Sequence, residues 1–263
     1  MFASSIFEIT AIPALQDNYI WAIHDDRHAT VVDPGESGPV LAFLKARGLR
    51  LGAILCTHRH HDHIGGIATL REVYNVPVHG RRHPGNPHIT HDLREGDKFK
   101  LDSFGIEFDI IEVPGHLDDH IAYLAPEILF CGDVLFGAGC GRNFEGTPAQ
   151  LHHSLQRLAL LPDDTRVYCA HEYTAANLRF ALACEPGNPE VHQRAAATQQ
   201  LRVANQITLP STIALEKATN PFLRCTQPEI IRTLQQRGLT DTSERGVSEL
   251  AVFTTLREWK NHF

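Results

Sequence analysis

Thr57-His58-Arg59-His60-His61-Asp62-His63 is the most telling segment of the chain. Five of its seven residues can bind a metal. It follows the apolar run Leu51-Gly-Ala-Ile-Leu-Cys56 and precedes Ile64-Gly65-Gly66, the pattern of a buried strand ending in a tight turn. Strand ends carry sites in α/β folds because the strand fixes the base of the loop. In an extended segment side chains alternate, so His58, His60 and Asp62 are expected on one side and His63 on the other. Such a segment can serve two metals, one through the His pair and one through Asp62-His63. The competing reading is a solvated loop that happens to be His-rich. Ligands packed this densely behind an apolar strand argue against it.

Working outward, short apolar runs at Phe7–Pro13, Tyr19–His24 and Ala29–Asp33 predict an antiparallel meander. A helix from about Pro39 to Arg47 is expected, capped by Ser37 and closed by Gly48. A second helix, about Gly66–Tyr74, is expected directly after the ligand-rich stretch, with its positive N-terminal end near the metals. Val78–His79 reads as a strand and Arg81–Glu95 as a loop; His79, His83, His88 and His91 in this region read as bystanders. Lys98–Leu101 and Phe104–Glu112 open a second half, so two β-then-α halves packed face to face are expected.

Three more strand ends carry metal-binding side chains. His116 follows Val113-Pro114-Gly115, Asp133 follows Ile128–Gly132, and His171 follows Val167–Ala170. His120 reads as a structural neighbour. From Thr174 the pattern turns helical, over Thr174–Ala183, Pro189–Asn205, Pro228–Arg237 and about Val247–Trp259. The expected division is 1–173 for a catalytic domain and 174–263 for a small α-helical domain that binds substrate.

Composition narrows the function. Hydrophobic content of 43% and charged content of 21% fit an ordinary globule. The formal net charge of −7 argues against nucleic acid as partner, which wants a basic surface. No apolar run reaches the roughly 18–20 residues needed to span a bilayer, so no membrane partner is expected. The six Cys contain no Cys-x-x-Cys pair and read as reduced, mostly buried thiols, which points to the cytoplasm. The chain is expected to act as a monomer on a small molecule.

His58-x-His60-x-Asp62-His63 resembles the signature of the metallo-β-lactamase superfamily. Pro114-Gly115-His116, Gly132-Asp133 and His171-Glu172-Tyr173-Thr174 sharpen the resemblance towards glyoxalase II, the hydroxyacylglutathione hydrolases. Leu117 stands where these relatives carry Thr, so a hydroxyl is missing there. The resemblance implies an α+β fold, a four-layer αβ/βα sandwich followed by a small α-helical C-terminal domain. It implies two metal ions per chain, Zn2+ first, with Fe or Mn as alternatives. His58, His60 and His116 would hold one, Asp62, His63 and His171 the other, with Asp133 shared. The absence of thiolate from that set suits an open catalytic site rather than a closed structural zinc. For substrate it implies Arg142, Phe144 (in place of a Tyr), Tyr173, and the basic pair Arg257 and Lys260 for a carboxylate of glutathione. On a helix the last two are i and i+3, hence on one face.

The chemistry so implied is hydrolysis of the thioester of S-(2-hydroxyacyl)glutathione, S-D-lactoylglutathione, to glutathione and D-lactate, the second step of methylglyoxal detoxification. A hydroxide held between the metals is the expected nucleophile, with Asp62 and Asp133 as its carboxylate partners. Zinc lowers the pKa of bound water to about 7. An ordinary thiol has a pKa of about 8.5 and leaves without a dedicated general acid. Rival readings are a lactonase or other thioesterase on the same metals, a persulfide dioxygenase with one iron, an RNA-processing nuclease, and a binding module stapled by metal. The Asp62-His63-His171 set disfavours the dioxygenase, and the negative charge disfavours the nuclease.

Overall fold

The computed structural model describes residues 7–239, 242–243 and 246–263. Packing divides the chain into two compact units, Met1–Glu112 with Asp119–Gly132, and Val113–Asp118 with Asp133–Phe263. These units interleave along the chain, whereas the expectation above cuts it once, after Tyr173.

In the first unit β1 (Glu8–Ala14), β2 (Asn18–His24) and β3 (His28–Val32) form the expected antiparallel meander. Helix α1 (Ser37–Arg47) then returns the chain so that β4 (Arg50–Leu55) pairs with β3 in parallel. Parallel neighbours need such a crossover. Gly48 ends α1 at φ 67, the left-handed closure that glycine adopts without strain. The cap expected from Ser37 is not made. Glu36 holds the N-cap position without a side-chain cap, and its carboxylate accepts from the backbone N–H of Leu15 instead at 2.7 Å.

After β4 come the short helix α2 (His61–Ile64) and α3 (Ile67–Tyr74). The strands β5 (Val78–Gly80) and β6 (His91–Asp92) then complete a six-stranded sheet in the order β1 to β6. The segment expected to be pure loop, 81–95, therefore contributes one edge strand. Val40, Leu44, Ile67 and Leu70 of α1 and α3 are buried with Ile12, Ile20, Val31, Ile54 and Val78 of the strands. Each such side chain contributes about 1.5–3 kcal/mol by leaving water.

A second antiparallel run follows, β7 (Lys98–Leu101), β8 (Ile106–Glu112), β9 (Ile121–Ala125) and β10 (Ile128–Gly132). Its Tyr123 hydroxyl lies 2.9 and 3.0 Å from the carbonyl oxygens of Cys56 and His79, tying it to the first sheet.

The second unit opens with the hairpin β11 (Leu135–Phe136) and β12 (Gly139–Cys140). Helix α4 (Pro148–Ala159) lies outside the expected elements, although its sequence announces it. Thr147 and Gln150 form a reciprocal capping box with Pro148 in the first turn. Strand β13 (Arg166–Cys169) pairs with β14 (Ser211–Thr212). Helices α5 (Thr174–Cys184), α6 (Pro189–Val203), α7 (Ile213–Thr219), α8 (Pro228–Gln235) and α9 (Glu249–Asn261) make the C-terminal part helical, as expected. Buried Glu216 organises them: it pairs with Arg194 at 2.7 Å and accepts from the Ala138 N–H at 2.8 Å and from Asn220 at 3.0 Å. All six cysteines are free and buried. No helix among the described residues is long and apolar enough to cross a membrane.

Candidate metal centre

The first unit presents its candidate ligands from one turn. Cys56 N–H donates to the His79 carbonyl at 2.8 Å, which fixes the end of β4. Asp33, at the end of β3, then grips the next residue twice. It accepts from Thr57 N–H at 2.8 Å and from Thr57 Oγ1 at 2.7 Å. With the hydroxyl proton committed to Asp33, Thr57 Oγ1 accepts from His58 Nδ1 at 3.1 Å. That leaves Nε2 of His58 as a lone pair, 3.1 Å from His60 Nδ1. Asp33 Oδ2 also lies 3.1 Å from His63 Nδ1, and His63 Nε2 lies 3.4 Å from Asp62 Oδ2. One buried carboxylate therefore sets the tautomer of His58 through Thr57 and lies against His63, the outer-sphere arrangement common around metals. Asn18 Nδ2 donates to the same Asp62 oxygen at 3.0 Å. His120 stacks on His58 with ring centroids 4.5 Å apart, and Arg59 pairs with Asp119. Burial pushes the Asp119 carboxyl up, against the pull of Arg59.

The alternation expected through Asp62 is corrected here. His60 is the N-cap of the α2 turn, so Asp62 and His63 leave on a helical path. Local bonds enforce this: His63 N–H donates to the His60 carbonyl at 3.0 Å and Gly65 N–H to that of His61 at 2.7 Å. Gly35 packs against this turn so closely that a Cβ there would meet the Asp62 carbonyl oxygen at 1.9 Å.

The second unit builds its part around Asp133. The two carboxylate oxygens divide: Oδ2 lies 3.6 Å from His116 Nε2 and Oδ1 lies 3.4 Å from His171 Nε2. His116 Nδ1 donates to the Arg142 carbonyl at 2.8 Å, so its Nε2 too is a lone pair facing a carboxylate. Acceptors aimed at acceptors in buried surroundings require positive charge between them, and this N/O donor set fits a divalent metal. Gly141 permits the arrangement, since a Cβ there would lie 2.0 Å from the Asp133 carbonyl oxygen and 3.0 Å from His116 Nδ1.

The expected substrate residues divide as well. Tyr173 stacks on His171 at 4.6 Å, and the 62% exposed Phe144 meets His116 edge-on at 5.2 Å. The Arg142 side chain is exposed. Lys260 reaches over the rings of Phe180 and Phe263. Burial, then the charges of Arg257, Arg179 and Arg142, hold its ammonium below the usual lysine range. Arg179 thus joins a basic locus that sequence reading left without it; a cation one turn and a half past Tyr173 on the same helix was the available signal. Arg257 was expected with Lys260 to bind a carboxylate of glutathione. It is buried, and its guanidinium donates to the Cys140 and Gly141 carbonyls at 2.8 and 3.3 Å.

Asp33 was the larger omission. Asp33-Pro34-Gly35 reads locally as a turn, and only its position at a strand end one strand away from Thr57 marks it. His79 and His91 stack on each other at 4.5 Å, but among the described residues no group of three potential ligands includes them.

The comparisons with known proteins converge. Residues 15–171 match the family model of the metallo-beta-lactamase superfamily, and residues 172–263 match that of the hydroxyacylglutathione hydrolase C-terminus. The hydroxyacylglutathione hydrolase of Aliivibrio salmonicida is 50% identical over 257 residues, covering 97% of this chain and 99% of its own. That of Pseudomonas aeruginosa is 49% identical over 265 residues, covering 98% and 100%. Among solved structures, ETHE1 from Myxococcus xanthus superposes with a TM-score of 0.63 at 28% identity, covering 89% of this chain and 92% of its own. TTHA1623 in a di-iron-bound form gives 0.58 at 27%, covering 82% and 100%. The metallo-β-lactamase fold, read first from one His-rich turn, is that of these relatives, and the chain belongs to the metallo-β-lactamase superfamily and, within it, to the hydroxyacylglutathione hydrolases, the glyoxalase II family.

Proposed function

We propose that this chain hydrolyses the thioester of S-(2-hydroxyacyl)glutathione, releasing glutathione and a 2-hydroxy acid, with two metal ions. His58, His60 and His116 would hold one ion and Asp62, His63 and His171 the other, with Asp133 between them. The observation that carries this reading is the divided carboxylate of Asp133, each oxygen facing a different histidine. A carboxylate so placed would suit a site that holds two cations. Zinc fits the nitrogen and carboxylate donors; iron fits them also, and the di-iron relative supports that alternative.

When bound, the metals supply a nucleophile from water at neutral pH and polarise the thioester carbonyl. The chain's own residues prepare that chemistry. Asp33, through Thr57, keeps His58 in the tautomer that presents Nε2, and its carboxylate faces His63 Nδ1. The Arg142 carbonyl does the same for His116. Tyr173 and Phe144, whose rings lie against His171 and His116, would contact the glutathionyl part of the substrate. Lys260, with Arg142 and Arg179 near it, supplies the positive locus for a carboxylate on a chain of net charge −7. The leaving thiolate needs no proton donor, which suits a site whose titratable groups are committed to metal. The helical segment 174–263 would act as the substrate-binding domain.

The test is metal analysis of the purified chain alongside turnover of S-D-lactoylglutathione, followed as free thiol. Two ions per chain with turnover are expected. One ion per active chain, or turnover without metal, would overturn the reading.

A further inference from the structure

The hairpin 135–140 takes four sets of hydrogen bonds from the helical C-terminal segment. Asn177 of α5 donates to the Gly137 carbonyl at 3.0 Å. Glu216 of α7 accepts from Ala138 N–H at 2.8 Å, and Asn220 donates to the Gly139 carbonyl at 2.8 Å. Arg257 of α9 closes the set on the Cys140 and Gly141 carbonyls. Both ends of this hairpin belong to the candidate metal centre. Asp133 precedes its first strand by two residues. Past its second strand, Gly141 N–H donates to the Val134 carbonyl at 3.2 Å, and the carbonyl of the next residue, Arg142, accepts from His116 Nδ1.

We propose that Arg257 is a positioning residue for the His116–Asp133 part of the metal centre, acting through the Cys140 and Gly141 carbonyls. One guanidinium nitrogen, Nη1, reaches both adjacent carbonyl oxygens, while the planar group leaves Nη2 free to bond elsewhere. Its other end is pinned as well, with Nη2 donating to Asn261 at 3.2 Å and the guanidinium carbon 5.1 Å from the Phe222 ring centroid. The helical tail therefore reaches the metals as well as the substrate. Arg257 and Lys260, one turn apart, do different work: the first shapes the backbone that orients two ligands, the second faces the anion. The remaining donor of Arg257, Nε, is buried without a partner among the described residues, so the rival role is a direct contact with a substrate carboxylate.

The inference rests on the metal-dependent reading above, and the experiment separates the two. Wild type, Arg257→Met, Arg257→Lys and Lys260→Ala are loaded with zinc and challenged with a chelator. Retained metal, the melting temperature of the metal-free protein, and KM at saturating zinc are read. Met keeps the stem and removes the donors; Lys keeps the charge but lacks the Nη2 that holds Asn261 and the planar group that fixes Nη1, so an answer remains if the Met variant does not fold. Metal affinity is expected to fall about tenfold or more in both Arg257 variants, the usual size for an outer-sphere change. Excess zinc should restore kcat, and Lys260→Ala should retain metal like wild type. Arg257 variants that hold zinc as tightly as wild type overturn the proposal, whatever their KM. A wild-type chain that binds no metal overturns the metal-dependent reading itself.

Discussion

Four of the candidate ligands, His58, His60, Asp62 and His63, come from six consecutive residues, while His116, Asp133 and His171 come from three separate strand ends. The first group is ordered from nearby, by one carboxylate and one hydroxyl, Asp33 and Thr57. The second is ordered at long range. The carbonyl that fixes His116 lies 26 residues away, and the arginine that holds that stretch of backbone lies more than 110 residues further along the chain. A compact ligand turn needs only a short local network. Dispersed ligands need the backbone between them held still, and that work falls to a region remote in sequence. The two groups should therefore fail differently when perturbed.

The hardest blow to that contrast is Asp133→Ala. It should lose metal beyond the roughly 100-fold typical of outer-sphere changes and abolish turnover. Full metal content in that variant, by elemental analysis, would remove the dispersed group's claim to a shared ligand.

Acid should strain the compact group through its support. His79, whose carbonyl anchors Cys56, is held down to about 4, first by burial and then by the neighbouring charge of His91. A base whose folded pKa is depressed binds fewer protons folded than unfolded. Stability is therefore full above the unfolded pKa of about 6.5 and falls as pH drops towards 4. Urea melts of the metal-free protein at pH 7 and pH 4.5 should show this loss, and His79→Asn should flatten it. An equal loss in both proteins would assign the acid sensitivity elsewhere.

Asp33→Asn tests the local network itself. It keeps the shape but offers N–H where Thr57 needs an acceptor and removes the charge facing His63, and should weaken metal binding about 10- to 100-fold in chelator competition. Unchanged affinity would show that the turn orders its own histidines. The smallest effect is expected at Lys260→Ala. KM for the glutathione thioester should rise about tenfold, as for one lost charge-assisted bond, and KM for a small neutral thioester should not move. Equal rises would take Lys260 out of substrate recognition.

Much of this was legible in advance, for reasons that differ by residue. His58 to His63 announce themselves because ligand density after an apolar strand has few other uses. His116, Asp133 and His171 are each an ordinary strand end, and only resemblance to a family joined them. Asp33 escaped because its partners, Thr57 and His63, are 24 and 30 residues away, across a helix and a strand. Helix α4 was missed although Thr147-Pro148-Ala149-Gln150 spells a capping box. Pairing Arg257 with Lys260 by helical spacing placed them on one face but could not tell a buried side chain from a solvated one.

By itself the sequence determined which chemistry is present: a thiolate-free set of nitrogen and carboxylate donors, strands to carry them, and a helical tail. Those follow from residue type and local period, which are properties of short segments. The tertiary structure decided how the donors point. Tautomer, the split of the Asp133 oxygens and the burial of Arg257 each depend on an acceptor brought close from a distant part of the chain, and no local pattern encodes that distance.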